Sequence, residues 1–342
     1  MAILEQVHPS PAAAPASPPP EHVAVAGDPT AALGALERGV TLAFVTLPAV
    51  AVVLALGPWW SHGIGRLDAV LAVVMFVVVG LGVTVGYHRM LTHHSFLPNR
   101  PLKIGLAIAG SMAFQGGPIG WVADHRCHHR FSDQVGDPHT PRHRAIDRPV
   151  GVRGLAHAHV GWLFDHAPTP TERYARDLQA DPDLVMVNRL FPLWCGLSLA
   201  VPFALGYLLG GGLGAALTAL LWAGGVRIFV LHHVTWSINS ICHAFGARPF
   251  RTKDRSGNVR GLAIVSFGES WHNGHHALPR SARHGLLPHQ WDPSARVIRA
   301  FERLGWATAV VWPTASQIRA ARGAGRDRAD GRVLSARGCD RT

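Results

Sequence analysis

The chain has 342 residues, of which 48% are hydrophobic and only 15% charged, with a formal net charge of +11. An average soluble domain carries about 25% charged residues, so an ordinary soluble domain is excluded and membrane spans are expected. Much of the positive excess follows residue 276, at Arg296, Arg299, Arg303, Arg319, Arg322, Arg326, Arg328, Arg332, Arg337 and Arg341. With no nucleic-acid motif in the chain, this charge is expected to face anionic headgroups on the cytoplasmic side, or to solubilise a tail.

Residues 1–35 are rich in Ala and Pro, as in Pro18-Pro19-Pro20, and are expected to be disordered. They lack the basic and then apolar runs of a cleaved signal peptide. A first span is expected over roughly 39–57, followed by Trp59, Trp60 and His62 as an interfacial belt. A second covers roughly 67–87 and ends on Tyr87-His88-Arg89. Residues 102–120 are apolar but broken by Gly105, Gly110, Gly116 and Gly117, so composition leaves open a third crossing or a re-entrant segment. Residues 121–188 are polar and too long for a bare linker, which predicts a cytoplasmic cap containing helices. Two further spans, roughly 190–209 and 213–235, are split by Gly210-Gly211-Gly212. Arg227 lies in the last of them and must face the protein interior. Residues 36–312 thus form one membrane domain, and 313–342 a basic tail expected to be disordered.

The four cysteines, Cys127, Cys195, Cys242 and Cys339, make neither a CxxC motif nor a disulfide framework. Cys127 lies off the face of its histidine neighbours and reads as a small filler residue.

Histidine is the outlier, with 22 in the chain. Four clusters stand out: His88 and His93; His125, His128 and His129; Asn239 and His243; and His272, His275 and His276. The two HxxHH clusters each place three imidazoles on one helical face, and Asn239 and His243 also share a face. His88 and His93 are five apart and fall about 140° apart on an ideal helix. They converge only if the helix ends, unwinds or carries a bulge. If all clusters meet, they must lie on one side of the membrane. That requires 102–120 to turn back without crossing, leaving four true spans with both termini on the side of the clusters. The basic C-terminal region makes that side cytoplasmic. Nine imidazoles exceed the needs of one ion of about four to six ligands and suit two. Neutral imidazole binds iron, zinc or copper. One HxxHH alone reads equally well as surface histidines or a structural zinc site; the combination points to chemistry.

At these residues the sequence resembles the membrane fatty acyl desaturases, specifically the Δ9 or stearoyl-CoA type. The order HxxxxH, HxxHH, NxxxH, HxxHH matches. So do Ala113-Phe114-Gln115, Trp121, Asp124-His125-Arg126, Asp137-Pro138-His139, His159-Val160-Gly161-Trp162, Thr235-Trp236 and Gly268-Glu269, over roughly residues 40–292. The resemblance implies an all-α integral membrane fold with a di-iron site in the cap, held by the nine histidines, with Asn239 binding through water. It implies a bent acyl tunnel whose kink is bounded by Gln115, Trp121 and Thr235. It implies an O2-dependent cis desaturation at Δ9, most readily of an acyl-CoA, with an acyl-lipid substrate as the alternative. Zinc can replace iron in such imidazole sites. Asp124, Asp133, Asp137 and Glu269 are candidates for orienting imidazoles.

Two departures bear on the substrate. Trp162-Leu163-Phe164 leads to Asp165-His166, and Ala123 precedes Asp124, so the basic CoA clamp of the animal enzymes is not in its usual place. Residues 310–342 hold neither a haem motif nor an iron–sulfur cysteine cluster, so electrons are expected from a separate ferredoxin or cytochrome b5. The rival readings are a related di-iron hydroxylase and a metal transporter, whose ligands would lie near the midplane of the spans. A zinc protease lacks its HExxH signature here.

Overall fold

The structure, a computed structural model, describes residues 34–57, 63–142, 149–165 and 168–323. The expected N-terminal disorder and the Trp59, Trp60 and His62 belt fall almost wholly outside them. Among the described residues, four helices are long and apolar enough to cross a membrane: α1 (Ala35–Leu56), α2 (Arg66–Thr92), and two more, Phe191–Gly210 and Leu213–Ala244. At 1.5 Å per residue the 22 residues of α1 reach about 33 Å, enough for a bilayer core of about 30 Å. Its exposed Leu42, Leu47, Val50 and Val53 make a lipid-facing surface.

Between α2 and the third span lie α3 (Arg100–Ser111) and α4 (Pro118–Phe131). The 12 residues of α3 reach about 18 Å, too short to cross. Asn99 caps its start by accepting from the Leu102 N–H. The chain then reverses through residues 112–117, where Phe114 (φ 60°) and Gly116 (φ 97°) adopt left-handed backbone. The segment 102–120 therefore enters and returns. It packs tightly on α2: a Cβ on Gly82 would lie 2.2 Å from the Gly110 nitrogen.

A helix ending at membrane depth leaves its last carbonyls short of donors. The later spans supply them. We label α5 (Pro182–Arg189), α6 (Phe191–Gly210) and α7 (Leu213–Ala244). Ser198 Oγ of α6 donates to the Met112 carbonyl at 2.7 Å, and His232 Nε2 of α7 bonds the Ala113 carbonyl at 2.9 Å. Arg227, buried as its position demands, donates to Ser198 Oγ and O and to the Ala223 carbonyl. The intramembrane arginine thus braces the re-entrant turn.

Two spans are longer than expected because their polar ends continue as helix past the apolar stretch. α2 runs to Thr92 and α7 to Ala244. Both carry π-helical segments, Gly82–Thr92 in α2 and Leu220–Val226 in α7. Leu36 of α1 and Asn239 of α7 line one cavity, so the N-terminal end of α1 and the C-terminal end of α7 lie on the same side.

The cap on that side comprises α4, short helical turns between 152 and 179, α5, α8 (His272–Ala277) and α9 (Pro293–Arg303). It closes over a core that includes Phe96, Val122, Leu178, Val187 and Ile298. Among the described residues the one sheet is a two-stranded antiparallel pair, β1 (Leu97–Pro98) with β2 (Ala307–Thr308), in register Leu97 to Thr308. The expected tail beyond 313 needs correcting at its start. Residues Ala315–Arg322 form a helix, α10, capped by Thr314 with Gln317 and tied back by the Arg251 N–H to the Ala321 carbonyl. The remainder of the tail lies outside the described residues.

Candidate metal centre

Two histidine clusters sit at the cap-side ends of spans α2 and α7, and two lie on the cap helices α4 and α8. His88 and His93 lie on the π-helical end of α2, where the His93 N–H bonds the His88 carbonyl five residues back at 3.2 Å. A π turn is wider than an α turn, so this distortion brings positions five apart toward one face. α4 presents His125, His128 and His129; α7 presents His243; α8 presents His272, His275 and His276.

These nine imidazoles fall into two groups. His88, His93, His125, His129 and His275 form one, with ring nitrogens within 4.8 Å of one another; His128, His243, His272 and His276 form the other. In the five-histidine group the Nε2 atoms of His129 and His275 are 2.9 Å apart, and those of His88 and His275 3.2 Å. In the four-histidine group, His272 Nε2 lies 3.0 Å from His243 Nε2 and 3.1 Å from His276 Nε2.

The outer ring nitrogens explain what these inward atoms are. His128 Nδ1–H donates to Asp137 (2.9 Å), His243 to Asp133 (3.0 Å), His276 to Asp254 (2.7 Å) and His88 to Glu269 (2.5 Å). A carboxylate at Nδ1 fixes the tautomer with its proton on that side and leaves a lone pair on Nε2. Several lone pairs then converge at about hydrogen-bond distance, and the buried Nε2 atoms of His93 and His128 have no hydrogen-bond partner. Converging lone pairs repel unless a cation lies among them, so the residues fit a pair of transition-metal ions.

Charge states agree with that fit. Burial, followed by neighbouring imidazoles, holds His93, His125, His129, His272 and His275 well below the usual histidine range, which keeps them neutral and able to ligate. Burial alone would raise the carboxylates. For Asp137 the neighbouring His128 more than offsets it, and for Asp254 His276 does; both are held below the usual carboxylate range.

The carboxylates are themselves held. Asp133 also accepts from the Arg255 N–H and Thr140 Oγ1, and Asp254 from the Ser256 N–H and Oγ. Glu269 receives the fully buried Arg89, which also pairs with Asp292 at 3.0 Å and donates to the Ala282 carbonyl at 2.8 Å. His284 Nδ1 lies 3.3 Å from Glu269. On α4, Arg126 donates to the Leu91 carbonyl and to Asp177, tying α4 to the end of α2.

Of the four candidate orienting carboxylates, Asp133, Asp137 and Glu269 pair with cluster histidines, while Asp124 lies on a cavity wall. Asp254, Arg89, Asp292 and His284 were not visible as site residues in the sequence. Asp254 sits in a loop without periodicity, Arg89 meets Glu269 and Asp292 across 180 and 203 residues, and His284 stands outside the spaced histidine clusters. Arg89, a charge at the end of a span, was the one available signal. Cys127 is buried with its Sγ 3.6 Å from the Gly136 carbonyl, and lies in neither histidine group.

Two cavities meet beside the histidines. The larger, about 630 Å³, runs from Leu36, Glu37, Val40 and Phe44 of α1, past Trp162 and Leu163, to Gln115, Trp121, Thr235 and Asn239. The smaller, about 50 Å³, shares Trp121, His125, Thr235 and Asn239 and continues to Gly80, Val83, Leu231 and Phe267. Gln115 Nε2 donates to Thr235 Oγ1 at 3.0 Å. Of the three residues expected at a tunnel kink, Trp121 and Thr235 line both cavities, beside His125, while Gln115 lines the larger one and reaches the join through its bond to Thr235.

A membrane protein with four spans and two groups of buried, carboxylate-backed histidines beside an apolar cavity is of the histidine-rich, metal-dependent oxidoreductase class. The fatty acid desaturase family model matches residues 65–308, more than half of the chain. The chain is 38% identical to the hex-5-enoyl-[acyl-carrier protein] acetylenase of Moorena producens over 281 residues, covering 82% of this chain and 88% of that one. It is 40% identical over 255 residues to the Delta-9 acyl-lipid desaturase 1 of Arabidopsis thaliana, covering 72% and 76%. It is 36% identical over 257 residues to the sn-1 stearoyl-lipid 9-desaturase of Anabaena variabilis, covering 74% and 84%. The chain belongs to the fatty acid desaturase family.

Proposed function

We propose that the protein inserts a cis double bond into a saturated acyl chain esterified in a membrane lipid, with both termini and the metal centre on the cytoplasmic side. The resemblance to the stearoyl-CoA type points to acyl-CoA; the cavity mouth supports the alternative. That mouth is the observation that carries the reading. It opens along α1, whose Leu36 and Val40 are exposed at the lipid-facing surface of a span. The described residues lining the cavity include Glu37 and Asp124 but no lysine or arginine. A carrier bearing several phosphates gains nothing from such a wall, whereas an acyl tail can enter from the leaflet and leave its headgroup at the interface.

The histidines of the two groups would hold the metal, with Asn239 facing the same space. A pair of iron ions bound there supplies the reduction of O2 coupled to hydrogen removal from an unactivated methylene. The balance is one CH2–CH2 unit, O2, two electrons and two protons in; one CH=CH unit and two waters out. The electrons come from a separate donor protein such as a ferredoxin or cytochrome b5. The chain's own residues do the positioning. Trp121 and the Gln115–Thr235 pair narrow the passage at the junction, so that only the methylenes lying there reach the centre. Apolar walls exclude water from the rest of the chain. A dry, fixed bend also favours a cis product, since the acyl chain is already turned where the hydrogens leave.

The test uses purified protein in lipid nanodiscs with ferredoxin and its reductase. Deuterium-labelled stearoyl chains are supplied in turn as phospholipid or galactolipid, as acyl-CoA, and on acyl carrier protein. The expected result is label loss from the lipid-bound chain. Turnover of acyl-CoA with lipid-bound chains untouched would contradict the reading.

A further inference from the structure

The geometry points to unequal metal pockets: the four-histidine pocket is the tight, retaining site, and Asp133, Asp137 and Asp254 make it so. The inference rests on the metal reading above and goes beyond it. Three of the four imidazoles in this pocket, His128, His243 and His276, donate Nδ1–H to a carboxylate. In the five-histidine pocket the carboxylate–imidazole pair is His88 with Glu269, and Glu269 also answers to the Arg89 guanidinium at 3.0 Å and to His284.

A carboxylate behind an imidazole raises the basicity of the inward nitrogen and adds negative charge close to the ion. Three such carboxylates, each anchored by a second donor, outweigh one whose charge is shared with a guanidinium. The anchors matter because a carboxylate that is free to turn away loses its hold on the ring. Asp137 takes the Asp133 and His139 N–H groups, Asp133 takes the Arg255 N–H, and Asp254 takes Ser256. The larger number of imidazoles in the other pocket does not reverse the order, because neutral rings add no charge and mutual crowding limits how many bind at once.

The test is equilibrium competition for Zn²⁺, a redox-inert ion that imidazole sites accept, between the full chain in detergent and a graded chelator. Retained metal per chain is read by mass spectrometry. The wild type is expected to release its zinc in two steps of equal amplitude. Asp254→Asn should weaken the tighter step by about 10- to 100-fold and leave the other in place. Asp133→Asn, checked like the first variant for a monodisperse elution profile, should do the same. Glu269→Gln should move only the weaker step. His243→Ala should delete the tighter step and His93→Ala the weaker. Two ions released in a single step, or Asp254→Asn and Glu269→Gln moving the same step, would overturn the inequality while leaving the desaturase reading intact. A folded wild-type chain that holds no zinc would overturn both.

Discussion

Gln115 and Thr235, 120 residues apart, meet through a 3.0 Å hydrogen bond at the junction of the two cavities. One side chain comes from the re-entrant turn and the other from the last span. Their contact ties the turn to that span beside the cavities. Thr235→Val keeps the shape but removes the acceptor. It is expected to cost about 1 kcal/mol of stability and to spread the double bond over neighbouring carbons. Product positions after derivatisation and mass spectrometry check this. An unchanged single position would show that the bond does not set the register.

Phe267 lines the smaller cavity with Gly80, against which its ring sits so closely that an added Cβ on Gly80 would lie 2.4 Å from it. Phe267→Leu enlarges that cavity for about 1 kcal/mol of stability. It is expected to raise turnover of acyl chains with more carbons beyond the new double bond. Gly80→Ala forces the ring to move and is expected to lower turnover. Competition between labelled chains of different length reads both effects.

Ser198 donates to the Met112 carbonyl and accepts from Arg227. Ser198→Ala removes the side-chain donor to the Met112 carbonyl and one of the acceptors of Arg227, which keeps the Ser198 and Ala223 carbonyls, at a cost of about 1–3 kcal/mol. Thermal unfolding in detergent should show the drop, and Ser198→Thr should restore most of it. If Ser198→Ala unfolds like the wild type, the brace beneath the re-entrant turn is not needed for stability.

Arg89 is buried between Glu269 and Asp292. Arg89→Met leaves two buried carboxylates without this counter-charge and is expected to cost about 3–5 kcal/mol. Arg89→Lys should recover only part of it, because one ammonium cannot serve two carboxylates and the Ala282 carbonyl in the planar geometry of a guanidinium. Unfolding midpoints of the two variants give the comparison.

Much of this was legible in the sequence, and the reason is periodicity. HxxHH puts three imidazoles on one helical face whatever the helix packs against, so His125, His128 and His129 declared themselves before any contact was known. Long apolar runs declared the spans, and the demand that all clusters share one side predicted the reversal at 102–120. The His88–His93 spacing predicted a distortion that takes the form of a π-helical end to α2. What stayed hidden depends on tertiary contact. Asp254 reaches His276 from an irregular loop, and Asp292 reaches Arg89 across 203 residues. Asp124, beside His125 in the chain, lines the larger cavity. The division of the histidines was also illegible, since His128 and His129 are adjacent in sequence and belong to different groups.

The most direct test of the central claim is the fatty-acid profile of a desaturase-deficient host expressing this chain, compared with the same host expressing His128→Ala at equal membrane abundance. The wild-type chain is predicted to yield cis-unsaturated chains, two hydrogens lighter than their precursors and appearing first in the membrane-lipid fraction. His128→Ala is predicted to yield none while still inserting. Products that gain an oxygen in place of losing two hydrogens, or full unsaturation from the His128→Ala chain, would contradict the account.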